Sequence, residues 1–281
     1  MLRKTIQNSI SICGIGQYTG NIVNITLRPA KIGDGIFFKR IDIKDNNRKN
    51  IIRIGDKQNV YDTSHLNTKI SNGEVSITMI EHIMSSLWAL KITDIEIDID
   101  NDEIPMFDGS AEYLIFLLRC AGIKDFEDTN ADVLEIKKEL SIKDGIAEIT
   151  AKPCDRLKIT LEIDFDVKTI GHDIFTFDEN KNNYFFDIAS ARTFCTEEQV
   201  DNHMKLKKHF SSVDMVVFGD EKYTSNTGEL NYSNEPTRHK ILDLIGDLMN
   251  IGKFVKGEFI CKKSGHHSNR VMIDKILAEN N

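Results

Sequence analysis

The sequence predicts an α+β fold made of two similar halves. Three observations lead there. Stretches in which apolar and polar residues alternate are mixed along the chain with apolar stripes at helical spacing. The order strands, helix, strand, helix occurs once before residue 122 and again after residue 132. Between them, residues 122–132 (Gly-Ile-Lys-Asp-Phe-Glu-Asp-Thr-Asn-Ala-Asp) are polar and read as the boundary between a first α+β domain, 1–126, and a second, 132–281. No significant identity links the halves, so the duplication rests on element order alone.

In the first half, Gly14-Ile15-Gly16 and Thr19-Gly20 mark a turn, and Ile22 to Pro29 alternates as a half-buried strand ended by its proline. Gly33-Asp34-Gly35 is a turn before a short strand, Ile36-Phe37-Phe38. Residues 41–76 are polar, and strands joined by exposed loops are expected there. Met79 to Leu90 carries apolar residues at 80, 83, 84, 87 and 88, a helical stripe with Glu81 and His82 near its start. Ile95 to Asp100 is a strand. Asp108 or Ser110 is placed to cap a helix from Ala111 to Ala121.

In the second half, Leu134 to Ile142 and Ile146 to Thr150 form a hairpin around Lys143-Asp144-Gly145. Leu157 to Phe165 alternates strongly, and Tyr184 to Ala191 is ambiguous. Glu197 to Phe210 is expected as a helix and Asp214 to Phe218 as a strand. Thr237 to Asn250 is a long amphipathic helix stopped before Gly252, Phe254 to Lys262 a strand, and Ser268 to Ala278 a final helix.

Composition excludes several classes of protein. A formal net charge of -8 argues against a chain that wraps nucleic acid through a basic surface, while leaving room for a local basic pocket for a phosphorylated small molecule. No apolar run approaches the length of a membrane span, and the first residues lack the apolar core of a signal peptide. The five cysteines are odd in number and form no C-x-x-C pair. They read as reduced thiols of a cytoplasmic protein. A monomer is expected.

Two polar clusters interrupt the helical stripes. Glu81-His82 is one; Arg238-His239-Lys240-Ile241-Leu242-Asp243-Leu244-Ile245-Gly246-Asp247-Leu248 is the other. His239 and Asp243, four residues apart, share a helix face, and Asp247 continues it one turn on. With His82 they make two imidazoles and a carboxylate, a three-ligand set that leaves one position for water as catalytic zinc requires. Glu81 is then available as a base. Each has a plainer reading: His82 as a helix cap, and His239 with Asp243 as a pair on a solvated helix edge. Lys262-Lys263-Ser264-Gly265-His266-His267-Ser268-Asn269 follows a strand and opens a helix, where backbone N–H groups favour anions. It also reads as an exposed turn. Phe194, Met204, Phe210, Met215 and Phe218 are either the lining of an apolar groove or ordinary core.

Taken together, these segments resemble the zinc-dependent UDP-3-O-acyl-N-acetylglucosamine deacetylases of lipid A biosynthesis, from about residue 5 to 278. The resemblance is carried by Gly14-Ile15-Gly16 with Thr19-Gly20, Leu27-Arg28-Pro29-Ala30, Ile80-Glu81-His82 and Glu103-Ile104-Pro105-Met106-Phe107-Asp108-Gly109-Ser110-Ala111. Ile163-Asp164-Phe165, Ala191-Arg192-Thr193-Phe194, the Arg238–Leu248 run and Lys263-Ser264-Gly265-His266 complete it. The Arg238–Leu248 run and the Pro105–Ser110 loop are the specific parts.

The resemblance implies two similar α+β domains, each a sheet layered with helices, with the site between them. It implies zinc on His82, His239 and Asp243, a set that also accepts Fe²⁺ or Co²⁺. Glu81 would be the general base, His266 a protonated second catalytic group, and Asp247 the carboxylate that orients and charges it. Lys240 would meet substrate phosphate, and Thr193 and Phe194 would line the acyl and sugar site. The implied substrate is an acylated UDP-aminosugar. Departures from the family pattern are Tyr18 in place of a histidine, Thr78-Met79 in place of Ser-Thr, Lys207 to Ser212 in place of a glycine-rich stretch, and Gly265-His266-His267-Ser268-Asn269 in place of Gly-His-Ala-Leu-Asn. They leave two alternatives: an amidohydrolase for another N-acetylated sugar, and a zinc-binding relative without turnover.

Overall fold

A computed structural model describes residues 1–44, 49–63, 66–205 and 215–280. The first half runs β1 (Leu2–Ile6), β2 (Ile10–Ile15), β3 (Ile22–Pro29), β4 (Ile36–Arg40), β5 (Ile51–Arg53), β6 (Val60–Asp62), β7 (Lys69–Ser71), β8 (Ser76–Thr78), α1 (Glu81–Ala89), β9 (Ile95–Ile99), α2 (Glu112–Cys120) and β10 (Ile123–Asn130). The second runs β11 (Val133–Glu135), β12 (Leu140–Asp144), β13 (Ala147–Lys152), β14 (Leu157–Asp164), β15 (His172–Asp178), α3 (Tyr184–Asp187), β16 (Phe194–Thr196), α4 (Glu197–Lys205), β17 (Val216–Phe218), β18 (Tyr223–Thr224), α5 (Glu235–Met249), β19 (Phe254–Lys262) and α6 (His266–Glu279). The fold is α+β.

The two halves repeat one topology. The first sheet is ordered β2-β3-β9-β4-β5 and the second β12-β13-β19-β14-β15. In each, a hairpin leads to a central strand that comes late in the half, with one helix before it and one after: α1, β9, α2 and then α5, β19, α6. The central strand pairs antiparallel on one side, β3–β9 and β13–β19, and parallel on the other, β4–β9 and β14–β19. The halves differ in what is inserted between the fourth strand and the first helix. In one it is the small sheet β6-β7-β8; in the other it is α3, α4 and the small sheet β16-β17-β18.

The strands form where the side-chain period is two. Leu157, Ile159, Leu161 and Ile163 of β14 are buried, as are Val23, Ile25 and Leu27 of β3. Helices α5 and α6 pack on the second sheet, and α1 lies against α5, so the helices of the two halves meet at the centre. Gly246 makes that approach possible: a Cβ there would lie 2.1 Å from the Glu81 carbonyl oxygen.

Several expectations change. Helix α1 begins at Glu81, because Met79 at φ +66° turns the chain out of β8 first. Gly14-Ile15 lies within β2, and its glycines serve close approach: a Cβ on Gly14 would lie 2.6 Å from Pro105, and one on Gly16 2.5 Å from the Glu103 carboxylate. The polar stretch after Gly122 holds a strand, β10, which pairs antiparallel with β1. Leu134 to Ile142 divides into β11, parallel to β19, and β12 of the hairpin. The ambiguous Tyr184 to Ala191 contains the short helix α3. Ser110 rather than Asp108 serves α2: its Oγ accepts the Glu112 N–H at 3.1 Å while Asp108 holds the Ser110 hydroxyl. Phe210 and the 207–212 stretch lie outside the described residues, as does the side chain of Met204.

Candidate active site

Three elements bring the predicted site residues together. His82 is the second residue of α1, His239 and Asp243 lie one turn apart on α5, and His266 opens α6. His239 Nε2 is 3.3 Å and His82 Nε2 3.9 Å from Asp243 Oδ1, and one ligand atom from each of these three residues falls within 4.8 Å of the others. All three side chains are buried. His239 Nδ1 donates to the Ala191 carbonyl at 2.9 Å, which leaves its Nε2 lone pair facing the cluster. Burial pushes both imidazoles down, His82 to about 3, which favours the neutral ring with one free nitrogen lone pair. Burial would raise the Asp243 carboxyl, but the imidazoles of His239 and His266 and the Lys240 ammonium hold it down at about 2.

The donor set fits a divalent cation. Asp243 Oδ1 is an ionised oxygen, fully buried, that accepts no hydrogen bond from the protein. Leaving such a group unpaired is costly, and a cation between it and the two neutral imidazoles removes that cost.

Beside this set stands an acid–base pair. Glu81 opens α1 and is 1% exposed. Its burial, with the Asp243 and Asp247 charges nearby, outweighs the opposing pull of His266 and raises its carboxyl to about 7. His266 Nδ1 is 2.9 Å from Asp247 Oδ2, and its Nε2 lies 3.9 Å from Glu81 Oε1 and 3.8 Å from Asp243 Oδ2. Burial opposes the imidazolium, but the carboxylates of Asp247, Asp243 and Glu81 prevail and lift it to about 10. A raised pKa means that this contribution to stability is complete below the ordinary value of 6.5 and is lost as pH rises through about 10. In metal-free protein, the His266 ring-carbon resonances should therefore titrate near pH 10. A midpoint near 6.5 in an NMR titration would remove the assignment of a standing cation.

Glu81, His82, His239, Asp243 and His266 line a cavity of about 360 Å³ between the halves. Lys240, Thr193 and Phe194 line it too, with Tyr18, Met79 and Met106 from the first half and Phe165, Cys195, Met215 and Lys263 from the second. Cys195, next to Phe194, points its sulfur at Met215 Sδ, 3.2 Å away. Phe218 stacks edge-on behind Phe194, with ring centroids 6.0 Å apart. His267, next to His266, sits exposed at the rim, 3.6 Å from Asp144.

The motif loops build the walls. Glu103 is fully buried and accepts the backbone N–H groups of Tyr18 and Thr19 and the Thr19 hydroxyl, so it shapes the turn after β2. The Gly109 carbonyl accepts the Thr193 N–H at 2.7 Å. The buried Arg192 guanidinium pairs with Glu235 at the start of α5, at 2.8 Å, one turn before His239. That pair fixes the Ala191 carbonyl against the His239 ring. Tyr18 is largely buried, which pushes its phenol up to about 12, and its hydroxyl meets Asn67.

Sequence reasoning missed the groups that hold the site from behind. The Asn269 amide donates to Asp247 Oδ2 at 2.8 Å. Thr68 touches Glu81, Asp247 and His266. Asn269 lies within a motif already singled out and could have been found there; Thr68 and the Ala191 carbonyl act partly or wholly through backbone atoms and leave no residue pattern.

Fold and site define a protein of repeated α+β topology, with a buried two-histidine, one-aspartate set able to hold a cation, beside a buried carboxylate and a third imidazole. A family model described as UDP-3-O-acyl N-acetylglycosamine deacetylase (LpxC) matches residues 3–278. The chain belongs to that family. It is 37% identical over 280 residues to a UDP-3-O-acyl-N-acetylglucosamine deacetylase of a Nitratiruptor species, covering 99% of this chain and 91% of the relative. Proteins of the same name from Teredinibacter turnerae and Acidithiobacillus ferrooxidans are 33% and 34% identical, each over 98% of this chain and 90% of the relative.

Proposed function

We propose that this chain is a zinc-dependent hydrolase that deacetylates UDP-3-O-acyl-N-acetylglucosamine, releasing acetate and the free amine, in lipid A biosynthesis. The observation that carries the reading is the placement of Glu81 and His266, 3.9 Å apart, beside the His82–His239–Asp243 set. The names of the relatives supply the substrate. The five free thiols suit a reducing cytoplasm, and among the described residues no helix is long and apolar enough to cross a membrane. The repeat of topology supports a division into two domains with the site between them, β10 carrying the first as far as Asn130.

His82, His239 and Asp243 would hold a divalent metal ion, which would supply Lewis acidity towards the acetamide carbonyl and towards water near neutral pH. The protein's own groups do the rest. Glu81 takes a proton from water as its oxygen attacks the carbonyl carbon. The oxygen of that carbonyl becomes negative, and the His266 Nε2–H donates to it. Asp247 keeps His266 charged and oriented through Nδ1. The C–N bond then breaks, and the amine takes a proton from His266 or Glu81. Lys240 offers its ammonium to substrate phosphate. Phe194, with Cys195 and Met215 behind it, offers an apolar wall to the acyl chain, and Thr193 a hydroxyl to the sugar.

His266→Ala should retain the metal and lower kcat by roughly 10²–10⁴-fold; metal analysis beside steady-state kinetics checks it. Tyr18 and Met79 in the cavity wall favour a second reading, hydrolysis of a differently decorated N-acetylated sugar. Substrate profiling separates the two. Acetate release should be fastest from the 3-O-acylated UDP-sugar, slow without the acyl chain, and slower without UDP. A faster N-acetyl sugar outside this class would replace the proposed substrate.

A further inference from the structure

Thr68 precedes β7, lies outside the segments that carry the resemblance, and is 2% exposed. Four of its contacts converge on the site. Its N–H donates to Glu81 Oε2 at 3.1 Å. Its carbonyl accepts the N–H of Ile80, the residue before Glu81, at 3.4 Å. Its hydroxyl donates to Asp247 Oδ1 at 2.7 Å and lies 3.3 Å from His266 Nδ1. The hydroxyl has a single proton, and Asp247 takes it. The His266 Nδ1–H therefore points at Asp247 Oδ2, 2.9 Å away, with the Thr68 oxygen as its second acceptor.

We infer that Thr68 is a positioning residue that sets Glu81 and His266 in register across the two halves. Its peptide group, in the first half, fixes the carboxylate that opens α1. Its hydroxyl, reaching into the second half, fixes the carboxylate that orients the imidazole opening α6. Asp247 is buried and has two other donors, the Asn269 amide and His266 itself, both on Oδ2. Without the Thr68 hydroxyl, Oδ1 has no donor among these groups. The carboxylate is then held through Oδ2 alone and can swing about it, and the His266 ring moves with it, away from the carbonyl oxygen it must meet. The branched Cβ of threonine limits the hydroxyl to few rotamers, which suits a fixed post. Glu81 is held by the Thr68 backbone and keeps its partner whatever the side chain.

This inference rests on the deacetylase reading, and its test separates the two. Thr68→Val keeps the shape and removes the hydroxyl; Thr68→Ser restores the hydroxyl in a smaller side chain. In zinc-loaded protein, Thr68→Val should lower kcat by roughly 10- to 100-fold, leave KM within about twofold and retain one metal equivalent, and Thr68→Ser should recover most of the rate. The second readout needs no substrate: the His266 Nδ1–H proton resonance should shift or broaden in Thr68→Val and return in Thr68→Ser. Wild-type kinetics in Thr68→Val, an equal loss in both variants, or an unmoved resonance would each overturn the role. If the unsubstituted protein released no acetate, the deacetylase reading would fall, and the resonance alone would then decide whether Thr68 orients His266.

Discussion

Replacing His239 by alanine is expected to empty the metal site and end turnover. His239 would supply one of two neutral imidazole nitrogens, and its ring is held by the Ala191 carbonyl. The variant leaves His82 and Asp243 to hold a cation alone in a buried place. Loss of an outer partner of a metal ligand costs about 10–100-fold in affinity, and removal of the ligand itself should exceed that. After dialysis against a weak chelator, the metal content should fall from one equivalent to near zero, with the far-ultraviolet circular dichroism unchanged. His239 sits in a helix whose other buried residues, Leu242, Leu244, Ile245 and Leu248, hold its packing. One retained equivalent in His239→Ala would exclude it as a ligand.

Gly246→Ala should damage both stability and site. Alanine favours a helix over glycine by about 1 kcal/mol, so an exposed glycine replaced in this way would stabilise α5. Here the added methyl group meets the Glu81 carbonyl at 2.1 Å, a backbone atom at the start of α1. Neither partner can rotate aside, so α1 and α5 must separate. Overpacking of this kind costs about 1–3 kcal/mol, occasionally more, and the helices pushed apart are those carrying His82 and its partners His239 and Asp243. A lowered denaturation midpoint together with weaker metal binding is the expected result. A midpoint equal to or above that of the parent chain would show that the helices have room to spare.

The candidate ligand set could be read in the sequence because both halves of it sit on regular elements. His239, Asp243 and Asp247 recur at helical spacing within an apolar stripe, and His82 lies beside the stripe of α1. Strands β3, β9 and β14 announced themselves by alternation. β15 did not: its apolar Ile174 is half exposed, and polar residues flank a short run. β10 reads as a polar connection because, in a two-stranded ribbon with β1, it needs few apolar residues. Gly14 and Gly16 looked like turn residues; their reason is the Pro105 and Glu103 side chains that crowd them, contacts with a loop some ninety residues away. Met79 in a left-handed conformation belongs to the same class, a backbone demand set by where α1 must begin. Thr68 was invisible because half of its work is done by its peptide group.

The most direct test of metal-dependent deacetylation is acetate release from UDP-3-O-acyl-N-acetylglucosamine by chelated protein refilled with one zinc equivalent, run beside Glu81→Ala. Turnover should return with the metal in the parent chain and fall by at least about 10²-fold in Glu81→Ala, which should still bind its zinc. Zinc bound stoichiometrically with no acetate released, or a Glu81→Ala variant as fast as its parent, would contradict the proposed reaction and the base assigned to it.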